Sequence, residues 1–391
     1  MKRIFPFVIL TLIVGALPAA AAPKTVAATD ISRVSAIDEY EGAAISPQGV
    51  TIYSNAEKKI LLTSLDFTGK ERWKLTLDGF GDQIAMAATT DKDGTIWIAG
   101  MSAGTLATET ASATAPAATL PTNVDGVVIE PVPNLRNDLN AITVWKVSQA
   151  GALLTTQSDT PTAPMLITAI SHTSSGLTIL GDRGAGTLIA NVTAAGKFST
   201  SKAIGTAKST FTHLFRNADG SANIYGSSSE TLAGKKVAGV RDGILAKVNK
   251  SGALTNVVRS SANRATRSWV GATPTIFLVG DVRAGGKNET AFTKFNSSFA
   301  PTWTLRLASS GAQLATTGAN GSHYALFNST SSIPGVTGWR PSAATPIVLR
   351  FDSKGVITQA LKAPQIKSAH VISFVPGVGL IVVSPAGIFK G

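Results

Sequence analysis

The sequence predicts an all-β fold in which four-stranded antiparallel sheets repeat around a ring. Seven short apolar strands follow polar turns and end in Gly, Ser or Asn, and most successive copies lie about 50 residues apart. A second pattern, an apolar strand followed by Asp or Asn, two residues and Gly, recurs in step with the first. Between these patterns the chain contains only strand-like segments. A repeat of this kind predicts a seven-bladed β-propeller.

The second repeat gives the clearest division into strands. Alternating apolar residues predict four strands, at 84–89, 95–100, 142–147 and 152–158. Asp-x-x-Gly and Ser-x-x-Gly turns separate the strands of each hairpin, because a short polar side chain caps the turn and glycine accepts a positive φ. A Thr/Ala/Pro-rich stretch over 104–140 predicts an insertion in this blade.

The seventh repeat is one strand short. His370–Phe374, Leu380–Ser384 and Ile388–Lys390 predict three strands before the chain stops. A spare apolar segment, Ile31–Ile37, precedes the first repeat. We therefore expect this N-terminal strand to complete the seventh blade and close the ring, so that residues 22–391 form a single propeller domain.

The first residues predict export. Lys2 and Arg3 precede an apolar stretch, Ile4–Leu17, and small residues follow at Ala19–Ala22. This order is typical of a secretory signal peptide, which we place at residues 1–21. The chain has no cysteine, so neither disulfides nor a lipoprotein anchor is possible. We expect a secreted or cell-envelope protein without a membrane span in its mature chain.

One stretch of the chain resembles a known repeat family. The residues that carry the resemblance are Leu65-Asp66, Gly69, Trp73, Asp82, Asp93-Gly94, Trp97 and Ala99-Gly100. They resemble the bacterial β-propeller repeat often called SBBP, which implies an exported propeller and no particular reaction. Thr68-Gly69-Lys70 with Trp73 is also similar to a quinoprotein-type repeat. Of the matching later positions only Trp303 holds tryptophan, so we expect no cofactor.

Positive charge is concentrated in one part of the chain. The net charge is +12, and Lys235–Arg306 contains 12 Lys and Arg residues against three acidic ones. In a four-stranded blade the connections between the second and third strands, and those between blades, leave from the same end. The long loops should therefore share one face with these charges, where arginine suits anionic groups. The candidate binding residues are Lys235, Lys236, Arg241, Arg259, Arg264, Arg267, Arg283, Lys287, Trp339 and Arg340.

Other motifs point to chemistry more weakly. Gly100–Gly104 matches the Gly-x-Ser-x-Gly pattern of a hydrolase nucleophile but leads into a Thr/Ala-rich loop instead of a helix. Asp91–Gly94 and Asn217–Gly220 resemble the start of calcium loops but lack further acidic ligands. The four histidines have no metal-ligand spacing. We therefore predict neither a catalytic residue nor a metal site.

Two functions follow from this interpretation. The favoured one is a secreted binding or scaffold module that recognises an anionic polymer, a glycan or an envelope protein through its long loops. The alternative is a hydrolase or lyase that acts on a polysaccharide at the mouth of the propeller channel. Convergence of His, Tyr, Arg and an acid at that opening would favour the enzyme. No motif indicates nucleic acid.

Overall fold

The computed structural model describes residues 25–77, 81–103, 139–160 and 165–391. The predicted signal peptide and nearly all of the predicted insertion at 104–140 lie outside these ranges. The described chain is mostly β-strand, with a short 3-10 helix at Ala319–Gly321. In chain order the strands are β1 (Val26–Asp30), β2 (Ser32–Ser35), β3 (Gly42–Ser46), β4 (Gly49–Ala56), β5 (Lys59–Leu65), β6 (Glu71–Leu77), β7 (Gln83–Thr90), β8 (Ile96–Ser102), β9 (Ala141–Val147), β10 (Leu153–Asp159), β11 (Leu166–Thr173), β12 (Gly176–Asp182), β13 (Thr187–Thr193), β14 (Lys202–Ile204), β15 (Ser209–Arg216), β16 (Ala222–Ser228), β17 (Asp242–Val248), β18 (Leu254–Ser260), β19 (Thr266–Ala272), β20 (Phe277–Ala284), β21 (Lys287–Phe295), β22 (Pro301–Thr317), β23 (His323–Ser329), β24 (Val336–Thr337), β25 (Thr345–Phe351), β26 (Ile357–Lys362), β27 (Val371–Val375), β28 (Gly379–Ser384) and β29 (Gly387–Lys390).

Within the described residues these strands form five four-stranded sheets and one nine-stranded sheet. Sheets 1 to 4 are β3–β6, β7–β10, β11–β14 and β15–β18. The nine-stranded sheet has the order β19-β20-β21-β22-β23-β25-β26-β1-β24, and the terminal sheet has the order β2-β29-β28-β27. The first strands of neighbouring sheets lie against one another around a ring, and β27 meets β3. The fold is therefore an all-β propeller, as the repeats predict.

The prediction of seven separate four-stranded blades was wrong. Five such blades are present, and the units expected as the fifth and sixth are one continuous sheet. The reason is the strand Pro301–Thr317, which has no Pro, Asn or Asp turn at its middle. Its first half pairs with β21 and its second half pairs with β23, with bulges at Ser309/Gly311 and Ala312/Leu314 where it changes partner.

The prediction that a single N-terminal strand closes the ring was also wrong. The ring closes where β27 packs against β3. The N-terminal segment forms two short strands in two different sheets. Val26–Asp30 runs parallel to β26 of the nine-stranded sheet, and Ser32–Ser35 runs antiparallel to β29 of the terminal sheet. Ile31 lies between them and is buried in the same core cluster as Leu361 and Phe389.

The core consists of apolar layers between neighbouring sheets. The second strand of each four-stranded sheet is buried over most of its length, whereas the fourth strands β6, β10 and β18 are largely exposed or half-buried. Within the nine-stranded sheet, for example, the rings of Phe292 and Phe327 meet edge to face with centroids 5.0 Å apart. Close packing of this kind positions the strand ends from which the loops leave.

Tryptophans lock adjacent units together at the turn end of the propeller. Trp303 of β22 donates its indole N–H to the carbonyl of Ser353, 3.1 Å away, and its ring lies over Gly355. Trp73 of sheet 1 does the same with Gln149 and Gly151 of sheet 2. At these two turns the indole ring therefore leaves no room for a side chain at Gly151 or Gly355.

Replacing Gly355 by alanine should destabilise the protein more than the same change at Gly377. Both glycines have a positive φ, +85° and +77°, so both changes carry a backbone cost of about 1–2 kcal/mol. A Cβ at Gly355 would also lie 2.6 Å from Trp303, whereas Gly377 faces open space. Urea unfolding of both variants measures the difference, and equal losses would contradict the proposed lock.

Candidate functional site

The register places the long connections on one face, as the sequence predicts. In sheet 4, Ser209 at the start of the first strand pairs with Ser228 at the end of the second. Gly243 near the start of the third strand pairs with Ser260 at the end of the fourth. The second-to-third and inter-sheet connections therefore leave from the same end, which we call the loop face.

Five of the predicted binding residues are exposed on the loop face. Two lie in the β16–β17 connection, one lies just before β19, and two flank the turn between β20 and β21. That last segment was expected to be a long loop. It is instead a continued hairpin, closed by Gly285-Gly286 with a positive φ at both residues. We call these five residues the basic cluster: Lys235, Lys236, Arg264, Arg283 and Lys287.

Backbone pairing brings the segments that carry the basic cluster together. Arg241 forms a parallel bridge with Thr266, and Thr266 pairs with Arg283. Arg264 precedes this pair by two residues, in the left-handed conformation with φ +56°. No carboxylate in the described residues forms a salt bridge with any member of the cluster. The cluster is thus an exposed patch of positive charge, in which Arg283 alone acts electrostatically on a nearby carboxylate, that of Asp281.

Arg259 has a different role from the one its sequence suggests. Its side chain is 8% exposed and forms a 3.2 Å ion pair with Asp242, which is fully buried. It also donates to the carbonyls of Lys235 and Glu230. The guanidinium therefore fastens the β16–β17 connection, which carries Lys235 and Lys236, to the body of sheet 4. Because the side chain is almost completely buried, it is not available to a ligand at the surface.

Asp242 is the residue that sequence reasoning missed. Its carboxylate accepts hydrogen bonds from the backbone N–H groups of Ala238 and Gly239 and from the hydroxyl of Ser261. Burial alone would raise its pKa, but these hydrogen bonds, with that of Arg259, outweigh burial and hold the pKa below its ordinary value. The available signal was an acid, next to Arg241, inside a long connection whose other charged residues are mostly basic.

Arg241 and Arg267 are half-buried between sheet 4 and the nine-stranded sheet. Arg241 donates from Nε to the Ser227 hydroxyl at 2.7 Å and from Nη2 to the Thr210 hydroxyl at 2.9 Å. Arg267 donates to the Ser260 hydroxyl at 2.8 Å, and its buried Nε has no hydrogen-bond partner in the described part of the chain. Burial, and then the charge of Arg306, lowers the pKa of Arg267.

The last two candidates lie far along the nine-stranded sheet. Trp339 is 5% exposed and donates its indole N–H to the Ser329 hydroxyl at 3.2 Å. It packs in the core with Phe327 and Ile347, so its ring faces are not free for stacking. Arg340 beside it is exposed. It follows β24, at the opposite end of the sheet order from β19, so it does not join the basic cluster.

The weaker motifs have structural partners. Ser102 of the Gly-x-Ser-x-Gly match is fully buried in β8 with its hydroxyl 2.7 Å from that of Thr143, and Gly104 lies outside the described residues. Asp91 uses Oδ1 to accept the backbone N–H groups of Asp93 and Thr95 within its own turn. These side chains therefore hold the blade, and neither forms an open site.

The four histidines lie at four separate places. His172 stacks on Trp97 and His323 stacks on Phe277, with centroids 4.3 and 4.7 Å apart, and His370 lies 4.9 Å from Tyr40. His213 is within 3.0 Å of the Thr212 hydroxyl. Across the described ranges, no three His, Asp or Glu residues are grouped so that they could hold a metal ion. In the same residues no helix has the length and hydropathy to cross a membrane.

An arginine outside the candidate set clamps two sheets together. Arg216 of β15 reaches sheet 3 and donates to the Thr178 hydroxyl at 2.7 Å and the Asn191 side chain at 2.8 Å. It also donates to the hydroxyl and carbonyl of Ser175. Sequence alone gave no signal for this clamp, because its partners are neutral and more than 20 residues away in the chain.

Comparison with solved structures shows similar propellers. The chain superimposes on a streptogramin B lyase with a TM-score of 0.53 and 14% identity, covering 92% of this chain and 96% of that one. It superimposes on the virginiamycin B lyase of Staphylococcus aureus with a TM-score of 0.52 and 13% identity, covering 92% and 97%. The WD40 domain of Toxoplasma gondii coronin superimposes with a TM-score of 0.48 and 8% identity, covering 94% of this chain and 83% of that one.

These similarities define the class of protein. At such low identity they establish the fold alone, and the chain is a β-propeller repeat protein. Its structural neighbours include enzymes and proteins of other kinds. No protein-family model and no curated relative matches this sequence.

Proposed function

We propose that this protein is a binding module that holds an anionic polymer against the basic cluster on its loop face. The observation that carries the proposal is the set of five exposed Lys and Arg side chains without salt bridges in the described chain. They project from the rigid ends of sheet 4 and the β20–β21 hairpin. A rim of this kind, rather than convergent His, Tyr, Arg and acid, is the arrangement we expect of a binding module.

The chemistry of the cluster favours a chain of anionic groups over one small anion. Arg264 and Arg283 can each offer a planar fork to a carboxylate, sulfate or phosphate. Lys235, Lys236 and Lys287 supply point charges on either side. Several exposed contacts, each weak alone, add up when one polymer engages them together. Binding should therefore weaken steeply with salt.

The favoured partner is an acidic polysaccharide of the cell envelope. We propose the cell envelope because the N-terminal sequence, which lies outside the described residues, predicts export. A resemblance to exported bacterial propeller repeats supports the same setting. The structure of the basic cluster does not depend on it, so binding can be tested without knowing the native polymer.

Removing two arginines from the cluster should abolish most of the polymer affinity. We expect Arg264→Ala with Arg283→Ala to weaken binding of dextran sulfate at least tenfold at low salt, because two forks are lost from adjacent segments. The matched control is Lys250→Ala with Lys354→Ala. It removes the same charge from exposed residues in turns at the opposite end of the sheets.

Biolayer interferometry on immobilised dextran sulfate, with neutral dextran as reference, measures both variants. We expect the control variant to stay within about threefold of wild type, since net charge alone contributes little at a distance beyond the Debye length. Equal weakening of the two variants would show that only net charge matters. Undiminished binding of the arginine variant would exclude the basic cluster as the site.

A further inference from the structure

A solvent-open cavity of about 370 Å³ lies between sheet 4 and the nine-stranded sheet. Its volume lies in the range of small-molecule sites. It is separate from the basic cluster, whose residues do not line it. The lining residues share a position on or next to the inner strands β15, β19 and β22; those used below are Thr210, Thr212, His213, Ser227, Trp269, Val270 and Leu314.

The body of the cavity is apolar and uncharged. Trp269, Val270 and Leu314 contribute carbon surface from two successive first strands of the ring. His213 is the one titratable group among the lining residues. Burial lowers the pKa of His213 to about 4, so the imidazole is neutral at physiological pH. Its Nδ1 is already within 3.0 Å of the Thr212 hydroxyl.

A fixed positive charge lies at the edge of this apolar surface. The Arg241 guanidinium is held by the hydroxyls of Ser227 and Thr210, and both of those residues line the cavity. No salt bridge neutralises Arg241 within the described residues. The neighbouring Asp242 is engaged by Arg259, Ser261 and two backbone N–H groups. These two hydrogen bonds pre-orient the guanidinium, and among the described residues Nη1 has no hydrogen-bond partner.

We propose that this cavity binds a small amphiphilic monoanion, with an apolar ring or branched chain against Trp269 and a carboxylate on Arg241. Apolar surface at the centre and a single arginine at the edge fit that shape and charge. The Trp ring offers a face or edge to an apolar group, and the arginine offers a charge-assisted hydrogen bond. This site is independent of the proposed polymer binding, because it uses different residues.

Isothermal titration with 3-phenylpropionate, and with 4-methylpentanoate as an aliphatic probe, tests the assignment. We expect at least one of the two acids to bind, and its neutral amide to bind at least tenfold more weakly. Arg241→Gln should weaken binding of the acid at least tenfold, so that its affinity becomes close to that of the amide. Arg264→Ala, which changes only the basic cluster, should leave the affinity for the acid within about twofold of wild type.

Two filling variants locate the site within the cavity. Val270→Phe occupies the apolar floor, and Thr212→Phe does so from an exposed position where folding is not at risk. Each should abolish binding of the acid while dextran sulfate binding is retained. Failure of both acids to bind at millimolar concentration would overturn the proposal. Unchanged binding to a correctly folded Thr212→Phe variant would overturn it as well.

Discussion

Replacing Asp242 by alanine should lower the free energy of unfolding by about 3–5 kcal/mol. The change leaves the Arg259 guanidinium, 8% exposed, in a buried place without its ion-pair partner. It also removes the acceptor for the N–H groups of Ala238 and Gly239. Urea unfolding measures the loss. Because Asp242 has a lowered pKa, its contribution is present above the ordinary carboxyl pKa and is lost as pH falls through the lower folded value.

A double variant separates the buried charge from the rest of the network. Asp242→Asn with Arg259→Met removes both charges and should recover part of the loss, since no guanidinium is left buried and unpaired. The exposed pair of Glu71 and Lys74 is the matched control, and Glu71→Ala should cost less than about 1 kcal/mol. A loss below 1 kcal/mol for Asp242→Ala would contradict the structural role given to Arg259.

His323 alone should lower the free energy of unfolding by about 3 kcal/mol between pH 6.5 and pH 4. His323 is 1% exposed, stacks on Phe277, and has a buried Nδ1 without a partner among the described residues. Burial, and then the charge of Lys294, lowers its pKa to about 4. In the unfolded chain this histidine is protonated as pH falls through about 6.5, whereas in the folded chain it stays neutral until about pH 4. The free energy of unfolding is therefore highest above pH 6.5 and decreases below it.

His323→Phe isolates this effect. Phenylalanine keeps an aromatic ring against Phe277 but cannot take up a proton, so the variant should lose stability less steeply between pH 6.5 and pH 4. Carboxylates and the other histidines contribute equally to both proteins and cancel in the difference. Urea midpoints at pH 7, 5.5 and 4.5 measure it. Parallel pH dependences for the two proteins would show that His323 is protonated in the folded state.

The local elements of this fold were predictable because turn chemistry and strand alternation are properties of neighbouring residues. The four strands predicted in the second repeat agree with β7 to β10 within two residues at each end. Asp91 caps its turn through its own side chain, as an Asp-x-x-Gly turn should. The placement of the long connections on one face followed from the antiparallel order of the four strands in a blade.

The assembly of these elements was harder to predict because it depends on distant contacts. The strand Pro301–Thr317 continues through its change of partner by means of two bulges and without a turn, so turn chemistry does not mark where the two expected blades meet. The same holds for the candidate site. Arg259 and Arg264 look alike in sequence, but a buried Asp242 engages one and leaves the other exposed. Trp339 is buried because its indole N–H donates to the Ser329 hydroxyl and its ring packs in the apolar core.

Hydrogen–deuterium exchange in the presence of dextran sulfate tests the proposed binding face most directly. The account predicts slower exchange of backbone amides at 262–266 and 283–288, the segments that carry Arg264, Arg283 and Lys287. Exchange in the turns at 249–252 and 352–355, at the opposite end, should be unchanged. Protection confined to those turns, or no protection on the loop face at saturating polymer, would contradict the account.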